Sequence, residues 1–290
     1  MKLKRIEVKN FKSLRDCSID LRDFNVVVGP NASGKTNLVE VFKLLRKIYM
    51  DEDPFPFLDW WGYDNVVWEG KEELPMTIKL FFESNGYNLS FETVFTGLGG
   101  KFQILKEVFE VKDIIIFERE RDWMSVRHDK KFFDQAWEKI QQRKIEGTLF
   151  DQVFNQAIKE GRDNLTEQKI RTGEDAGIYG KSLRMGHFQL TRSHENFAIS
   201  LIRYSKIPPG GMKMVEFDTF ALEPMIPTEK EDMAKEKPLS QLLIEELWEF
   251  VNKIIILKGL DIRKMKEPYK ERKEVAIFED GSNVCNVLYN

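Results

Sequence analysis

Eight consecutive residues near the N-terminus, Gly29 to Thr36, constrain the fold of this 290-residue chain more than any other segment. They read G-P-N-A-S-G-K-T and match the pattern G-x-x-x-x-G-K-[ST] in full. Glycines let the backbone turn tightly, so that successive N–H groups converge on a polyphosphate. Lys35 can reach the β and γ oxygens, and the Thr36 hydroxyl can ligate Mg²⁺. The motif therefore predicts binding of ATP and Mg²⁺, with these candidate residues: Gly29, Asn31, Ala32, Ser33, Gly34, Lys35 and Thr36.

The residues around the motif give it a strand-loop-helix context. Residues 6–9 and 18–21 alternate apolar and polar side chains, which predicts two paired strands with one wet face. Residues 24–28 are mostly β-branched, which predicts a buried strand of a parallel sheet. After Gly34, apolar residues recur at helical spacing up to Tyr49. A helix that starts here points its positive end at a bound phosphate.

The rest of the chain divides into two further regions. Residues 76–82 and 87–95 predict a hairpin with its turn at 84–86, and residues 111–117 predict another strand. Three amphipathic helices are expected at about 133–140, 150–157 and 197–204, with a polar, mobile stretch at 162–186. A fourth helix is expected at 240–257. The predicted organisation is the first part of an ATPase head at 1–117, a helical insertion at 118–211, and a return to the head at 212–290.

Two blocks of sequence resemble a known family. Residues 6–14, followed by 28–38, are similar to the opening of ABC-type ATPase heads, the nearest being the SMC, RecF and OLD-like "AAA family" ATPases. Residues 255–263 and 279–289 resemble a block that follows the insertion in RecF-like ATPases. The resemblance implies an α/β P-loop NTPase fold with a mixed sheet and a helical insertion. It also implies that residues 10–13 and Asn37 lie near the nucleotide, with Lys12 approaching the phosphates. Taken alone, Lys12 better suits a solvated turn.

Two elements that hydrolysis needs have no clear match. ATP hydrolysis requires an acid at the end of an apolar strand to hold Mg²⁺ and polarise water. Glu118 and the pair Glu279-Asp280 are weak candidates for it, and no S-G-rich signature is present. The catalytic residues are therefore unknown, and the C-terminal half of the head is expected to be missing. The chain is an ATPase only if that half completes it.

Three functions fit these observations. In the first, ATP joins two heads, as a homodimer or with a partner chain that supplies the second half, and hydrolysis releases them. In the second, the chain is a non-hydrolysing nucleotide-binding module whose helical insertion engages a partner. In the third, the chain is a small-molecule kinase, which the preceding hairpin disfavours.

Charge and composition limit partners and location. The net charge is −3, which gives no overall electrostatic case for nucleic acid, yet residues 1–50 carry 11 Lys/Arg against 5 Asp/Glu. That excess fits either a solvated surface around a phosphate site or a surface facing DNA. No apolar run reaches the roughly 18 residues that a membrane span needs. The basic N-terminus lacks a signal-peptide core, and the two cysteines form no motif. A cytoplasmic protein without membrane contact is expected.

Overall fold

The computed structural model describes residues 1–51, 53–120, 123–141, 166–171, 187–188, 197–202, 219–227, 236–254 and 256. Several predictions lie outside these residues. They are the helix at 150–157, most of the polar stretch at 162–186, and the blocks at 257–263 and 279–289, which include Glu279 and Asp280.

The main structural element is an eight-stranded sheet with the strand order β2-β1-β3-β4-β5-β6-β7-β8. Every neighbouring pair in it is antiparallel. The strands are β1 (Lys2–Phe11), β2 (Leu14–Asp20), β3 (Met76–Ser84), β4 (Tyr87–Thr96), β5 (Gln103–Val111), β6 (Ile115–Glu120), β7 (Trp123–His128) and β8 (Glu167–Arg171). A second sheet, in the order β12-β11-β10-β9, contains β9 (His187–Phe188), β10 (Phe197–Ile202), β11 (Thr219–Pro227) and β12 (Glu236–Pro238).

One face of the main sheet is covered by two helices, α1 (Lys35–Tyr49) and α3 (Leu239–Asn252). The strands alternate in burial as one-sided strands do, and in β3 the buried side chains are every second residue from Met76 to Phe82. Tyr49 of α1 stacks on Trp248 of α3 with ring centroids 4.9 Å apart, and both rings meet Phe91 of the sheet edge to face. The helix that follows the glycine-rich loop is thus held in the core along its length.

A third helix, α2 (Lys130–Gln141), follows strand β7. It buries Phe133, Ala136 and Trp137, as the apolar spacing predicts. Beside it, the backbone N–H of Leu222 in β11 donates to Nε2 of His128, with N···N 2.9 Å. This bond ties the second sheet to the end of β7.

Several predicted elements are confirmed. The strands at 6–9 and 18–21 belong to the β1–β2 hairpin, and the β3–β4 hairpin turns at Asn85 and Gly86. The helix after Gly34, the helix at 133–140 and the helix after Pro238 are also present, as α1, α2 and α3. The class is α/β, as expected.

Three predictions are wrong. Residues 24–28 are in neither sheet, and the side chains of Phe24, Val26, Val27 and Val28 are 51–84% exposed. The β-branched residues of this run favour an extended conformation. Burial also requires a neighbouring strand, which the described residues do not supply.

The second error concerns the strand predicted at 111–117. It is interrupted by a turn at 112–114, where Asp113 has φ 61°.

The third error concerns the helix expected at 197–204. This segment begins with strand β10, because residues 197–202 pair in register with 219–224 of β11. The helical spacing of the segment is a weaker determinant than this long-range pairing, which sequence spacing does not reveal. A helical insertion was expected at 118–211. The described residues of that region instead form strands β7–β10 as well as helix α2. The domain boundaries themselves stay predictions.

Candidate nucleotide-binding site

The glycine-rich loop enters helix α1 through Gly34, whose backbone has φ 89°. An added Cβ at this position would lie 2.7 Å from Oγ of Ser13 and 3.3 Å from Cδ2 of Leu14. Both the left-handed conformation and the close approach therefore require glycine. Ala32 also has positive φ, at 64°. Within the loop, the Ser33 N–H donates to the Pro30 carbonyl, N···O 3.3 Å, which closes a tight turn.

The start of α1 suits an anion. The first intrahelical bond runs from the Leu38 N–H to the Gly34 carbonyl, N···O 3.1 Å, so the N–H groups of the first turn point beyond the helix end. This turn contains no Asp or Glu. The positive end of the helix dipole is therefore not neutralised by the helix itself, which favours a bound phosphate.

Lys35 closes the loop from inside. Its ammonium donates to the carbonyl oxygens of Gly29 at 2.8 Å and Pro30 at 2.6 Å, and to Oγ of Ser33 at 3.3 Å. All three acceptors are neutral, whereas a phosphate would offer this ammonium charged oxygen acceptors. Such a contact between two charged groups is stronger than the neutral bonds it replaces.

Asn37 connects the helix to the β1–β2 turn. Its side-chain amide donates to Oγ of Ser13, N···O 2.8 Å. Ser13 is thereby placed against Gly34, so the turn between the first two strands braces the loop. The family resemblance implies that residues 10–13 lie near the nucleotide, and the contacts of Ser13 put this turn beside the loop.

Lys12 contacts the middle of α1. Its ammonium forms an ion pair with the largely buried Glu40 and lies 5.3 Å from the ring centroid of Trp60. Its backbone has φ 50°, in the left-handed region. The phosphate contact that the resemblance implies for Lys12 stays a prediction. Glu40 is a residue that sequence reasoning missed, although an acid on an otherwise apolar helical face was a signal.

The accessible groups fit ATP with Mg²⁺. Gly34, Lys35 and Asn37 are half-buried, and the other candidates are exposed: Gly29, Asn31, Ala32, Ser33 and Thr36. Backbone N–H groups and an ammonium suit the phosphates, and an exposed threonine hydroxyl at the helix start suits Mg²⁺. The space beside Gly34 is filled by Ser13 and Leu14 of the β1–β2 turn, so a glycine is needed here for the turn and the loop to pack together.

Glu118 is engaged in cross-strand pairs. It lies within β6, forms an ion pair with Lys106, and accepts from Nη2 of Arg127 at 2.7 Å. Burial acts to raise the pKa of Glu118, but the hydrogen bond and charge of Lys106, with Arg127 nearby, hold that pKa below its ordinary value. The Glu118 carboxylate is thus occupied by ion pairs with the two neighbouring strands. It is therefore poorly placed to act as the acid that hydrolysis needs.

A buried polar network lies under the other end of α1. The Tyr49 hydroxyl is 2.7 Å from both Oγ1 of Thr93 and Oε1 of Glu107, and Nε of Arg119 donates to Oε2 of Glu107 at 2.8 Å. Burial, and then the charge of Glu107, raise the pKa of Tyr49 well above its ordinary value. Sequence reasoning missed the network, although Thr93, Glu107 and Arg119 occupy buried positions of three neighbouring strands.

The basic excess of residues 1–50 is largely paired on the surface. Lys4 contacts Glu83 at 2.8 Å, and Arg5 contacts Glu7 at 2.6 Å. Farther along, Lys47 bridges Asp53 and Asp59 at 3.1 and 3.0 Å. Exposed ion pairs of this kind are worth little individually, but they lower the net positive potential that DNA would meet.

Fold and loop together define a P-loop NTPase. The family model described as "AAA ATPase domain" matches residues 1–206. The chain therefore belongs to the AAA ATPase domain family.

Similar segments occur in curated proteins. The RecF DNA replication and repair protein of Lactococcus lactis subsp. cremoris (strain MG1363) is 34% identical over 83 residues, which is 28% of this chain and 23% of RecF. The Smc chromosome partition protein of Methanocaldococcus jannaschii is 51% identical over 39 residues, or 13% of this chain and 3% of Smc. The chain thus spans less than a quarter of the length of these relatives.

One solved structure shows a limited likeness. It comes from work on ATP-driven dimerization and DNA-stimulated activation of SMC ATPases, with a TM-score of 0.28 and 15% identity. The likeness covers 39% of this chain and 70% of the other.

Within the described residues, no group of three or more His, Cys, Asp and Glu side chains is arranged to hold a metal ion. No helix in the described part of the chain has the length and apolar character to cross a membrane.

Proposed function

We propose that this chain is the ATP-binding part of a RecF/SMC-like ATPase head, with the nucleotide phosphates on the loop 29–34 and Mg²⁺ at Thr36. The observation that carries the proposal is the position of Lys35, whose ammonium lies inside the loop on the carbonyls of Gly29 and Pro30. Gly29, Asn31, Ala32, Ser33 and Gly34 supply backbone N–H groups, and Asn37 holds the adjoining turn.

Replacing Lys35 tests the binding. Loss of a hydrogen bond to a charged group costs about 1.5–3 kcal/mol, so Lys35→Ala should weaken ATP-Mg²⁺ binding by at least about tenfold. Calorimetry measures the affinity, and circular dichroism verifies that the variant is folded. Lys112→Ala, at an exposed lysine in the β5–β6 turn, is the matched control. Equal affinities of Lys35→Ala and wild type would contradict the assignment.

Hydrolysis is proposed to need residues from a second half of the head or from a partner chain. Residues 24–28 lead into the loop with apolar side chains 51–84% exposed at Phe24, Val26, Val27 and Val28. An exposed apolar segment of this kind favours addition of a strand. We propose that the added segment brings the acid for Mg²⁺ and the signature, and that two such heads meet around ATP.

The rate of ATP hydrolysis tests this second step. Without the electrostatic arrangement around the attacking water most of the rate enhancement is lost, so the 290-residue chain alone should turn over negligibly. Adding the second half should restore a rate that rises steeply with protein concentration. Robust, Lys35-dependent hydrolysis by the chain alone would refute the proposal, and single substitutions of Glu118, Glu279 and Asp280 would then identify the acid.

A non-hydrolysing interaction module is the second candidate. The engagement of Glu118 by Lys106 and Arg127 favours it, since this acid is occupied within the sheet. The two functions differ in one result: a module binds ATP through Lys35 but gains no ATP turnover when a second half is added.

DNA stays a proposed ligand, based on the basic first 50 residues. A shift of labelled duplex DNA by the ATP-loaded chain would test it.

A further inference from the structure

The loop between α1 and β3 carries an outward-facing apolar row. Phe55, Leu58 and Trp61 are 62%, 70% and 89% exposed. The N–H of Leu58 donates to the Phe55 carbonyl and that of Trp61 to the Leu58 carbonyl, both with N···O 3.0 Å. These bonds fold the segment into two consecutive tight turns, in which the large exposed apolar residues are three positions apart.

The opposite side of the same segment is packed into the core. Phe57 is buried, with ring centroids 5.0 Å from Tyr63 and 5.8 Å from Phe102, and Trp60 is half-buried against Phe11. The segment 55–61 is therefore anchored by its inner row. Its outer row, defined as Phe55, Leu58 and Trp61, faces solvent.

The backbone conformation of Trp61 is also unfavourable for a tryptophan. The residue ends the short helix at 58–60 with φ 66°, a conformation in which bulky residues are rare and Gly or Asn is favoured. A tryptophan here is strained and also leaves its ring in water, and no core contact of the described residues accounts for it. Strained, exposed aromatic residues of this kind point to a binding role.

The surroundings of the outer row are acidic. Residues 51–73 contain eight Asp/Glu and a single Lys. Three cations of α1 reach into this region: Lys43 pairs with Asp59 at 3.1 Å, Lys47 with Asp53 and Asp59, and Arg46 lies 4.0 Å from Asp51. Lys12, paired with Glu40, and Arg15 also lie over the rings of Trp60 and Trp68. Even with these cations and Lys71 counted, the eight acids of the segment remain in excess. Nucleic acid is repelled by such a surface, whereas a basic partner is attracted.

From this combination we infer that the outer row is a docking surface for a basic protein segment that carries large apolar side chains. Trp61 and Leu58 would cover the apolar side chains of that segment, and the surrounding carboxylates would meet its Lys or Arg residues. Aromatic residues at the centre of a polar rim are the usual anchors of protein interfaces. The outer row shares no residue with the phosphate-binding loop 29–34, so it can be substituted without changing that loop.

Selection from a library of short random peptides displayed on phage, against the 290-residue chain without nucleotide, tests the inference. Enriched peptides should carry a net positive charge together with aromatic or large aliphatic residues. The strongest of them, labelled for fluorescence anisotropy, should bind at least about tenfold more weakly to Trp61→Asn. Raising the salt concentration should weaken binding as well.

Two controls distinguish loss of the docking surface from loss of folded protein. Asn tolerates the left-handed region, so Trp61→Asn should melt at the wild-type temperature or above it. Trp123→Thr removes a 40% exposed tryptophan from strand β7, where Thr suits the strand, and should leave peptide affinity unchanged.

Three results would overturn the inference. Enriched peptides could be neutral or acidic, or the basic peptide could bind Trp61→Asn as tightly as wild type. Competition by duplex DNA at this surface would assign it to nucleic acid instead. Self-association that Trp61→Asn abolishes, seen by sedimentation, would make the outer row a contact between copies of this chain.

Discussion

Replacing Gly34 by alanine should destabilise the chain through two separable effects. The first is conformational: φ 89° lies in the left-handed region, which costs an L-residue about 1–2 kcal/mol. The second is steric, because the new Cβ would lie 2.7 Å from Oγ of Ser13. Moving that hydroxyl loosens its bond from the Asn37 amide, a loss of about 1 kcal/mol. Together the free energy of unfolding should fall by about 2–3 kcal/mol.

A matched glycine isolates the steric part. Gly86, in the β3–β4 turn, has φ 80°, and an added Cβ there would meet nothing within 4 Å. Gly86→Ala should therefore cost only the conformational part, about 1–2 kcal/mol. Urea denaturation followed by circular dichroism measures both variants, with stability extrapolated linearly to water.

A double-mutant cycle with Ser13→Ala completes the test. Because Ser13→Ala removes the oxygen that the new Cβ meets, the cost of Gly34→Ala should be about 1 kcal/mol smaller in that background. Equal losses at Gly34 and Gly86, together with additive behaviour of Ser13→Ala and Gly34→Ala, would refute the assignment of a steric contact between the turn and the loop.

Two further predictions concern buried and paired groups of the sheet. Tyr49→Phe leaves the buried Glu107 carboxylate without one donor and should lower the free energy of unfolding by about 1.5–3 kcal/mol, measured by urea denaturation. Since the folded-state pKa of Tyr49 is raised, wild type should also lose stability as pH rises above about 10, more steeply than Tyr49→Phe does; parallel pH profiles would contradict this. The folded-state pKa of Glu118 is lowered, so its stabilising contribution is present above the ordinary pKa of a glutamate and is lost as pH falls through the folded value. The stability difference between wild type and Glu118→Gln should therefore shrink on acidification below about pH 4.5, and a constant difference would rule out the ion pairs as its cause.

The loop and its helix could be predicted from sequence because their determinants are local. The pattern from Gly29 to Thr36 specifies a tight turn followed by a helix start, and the spacing from Leu38 to Tyr49 specifies which face of α1 is buried. The β1–β2 and β3–β4 hairpins could be predicted for the same reason, since the alternating apolar and polar residues and the turn residues lie within a few positions of each other. The candidate phosphate-binding residues, Lys35 above all, follow from the same local pattern.

Everything that depends on a distant partner was decided by tertiary structure. Residues 24–28 have the composition of a buried strand and are nevertheless exposed, because apolar composition does not supply a neighbouring strand. Residues 197–202 have helical spacing and form β10, because β11 pairs with them. Lys12 lies against Glu40, a residue 28 positions away that no local spacing rule links to it. Local sequence determines the turns and helix starts, which depend on residues a few positions apart. The burial of an apolar segment and the ion-pair partner of a charged side chain depend on which distant segments the fold brings together.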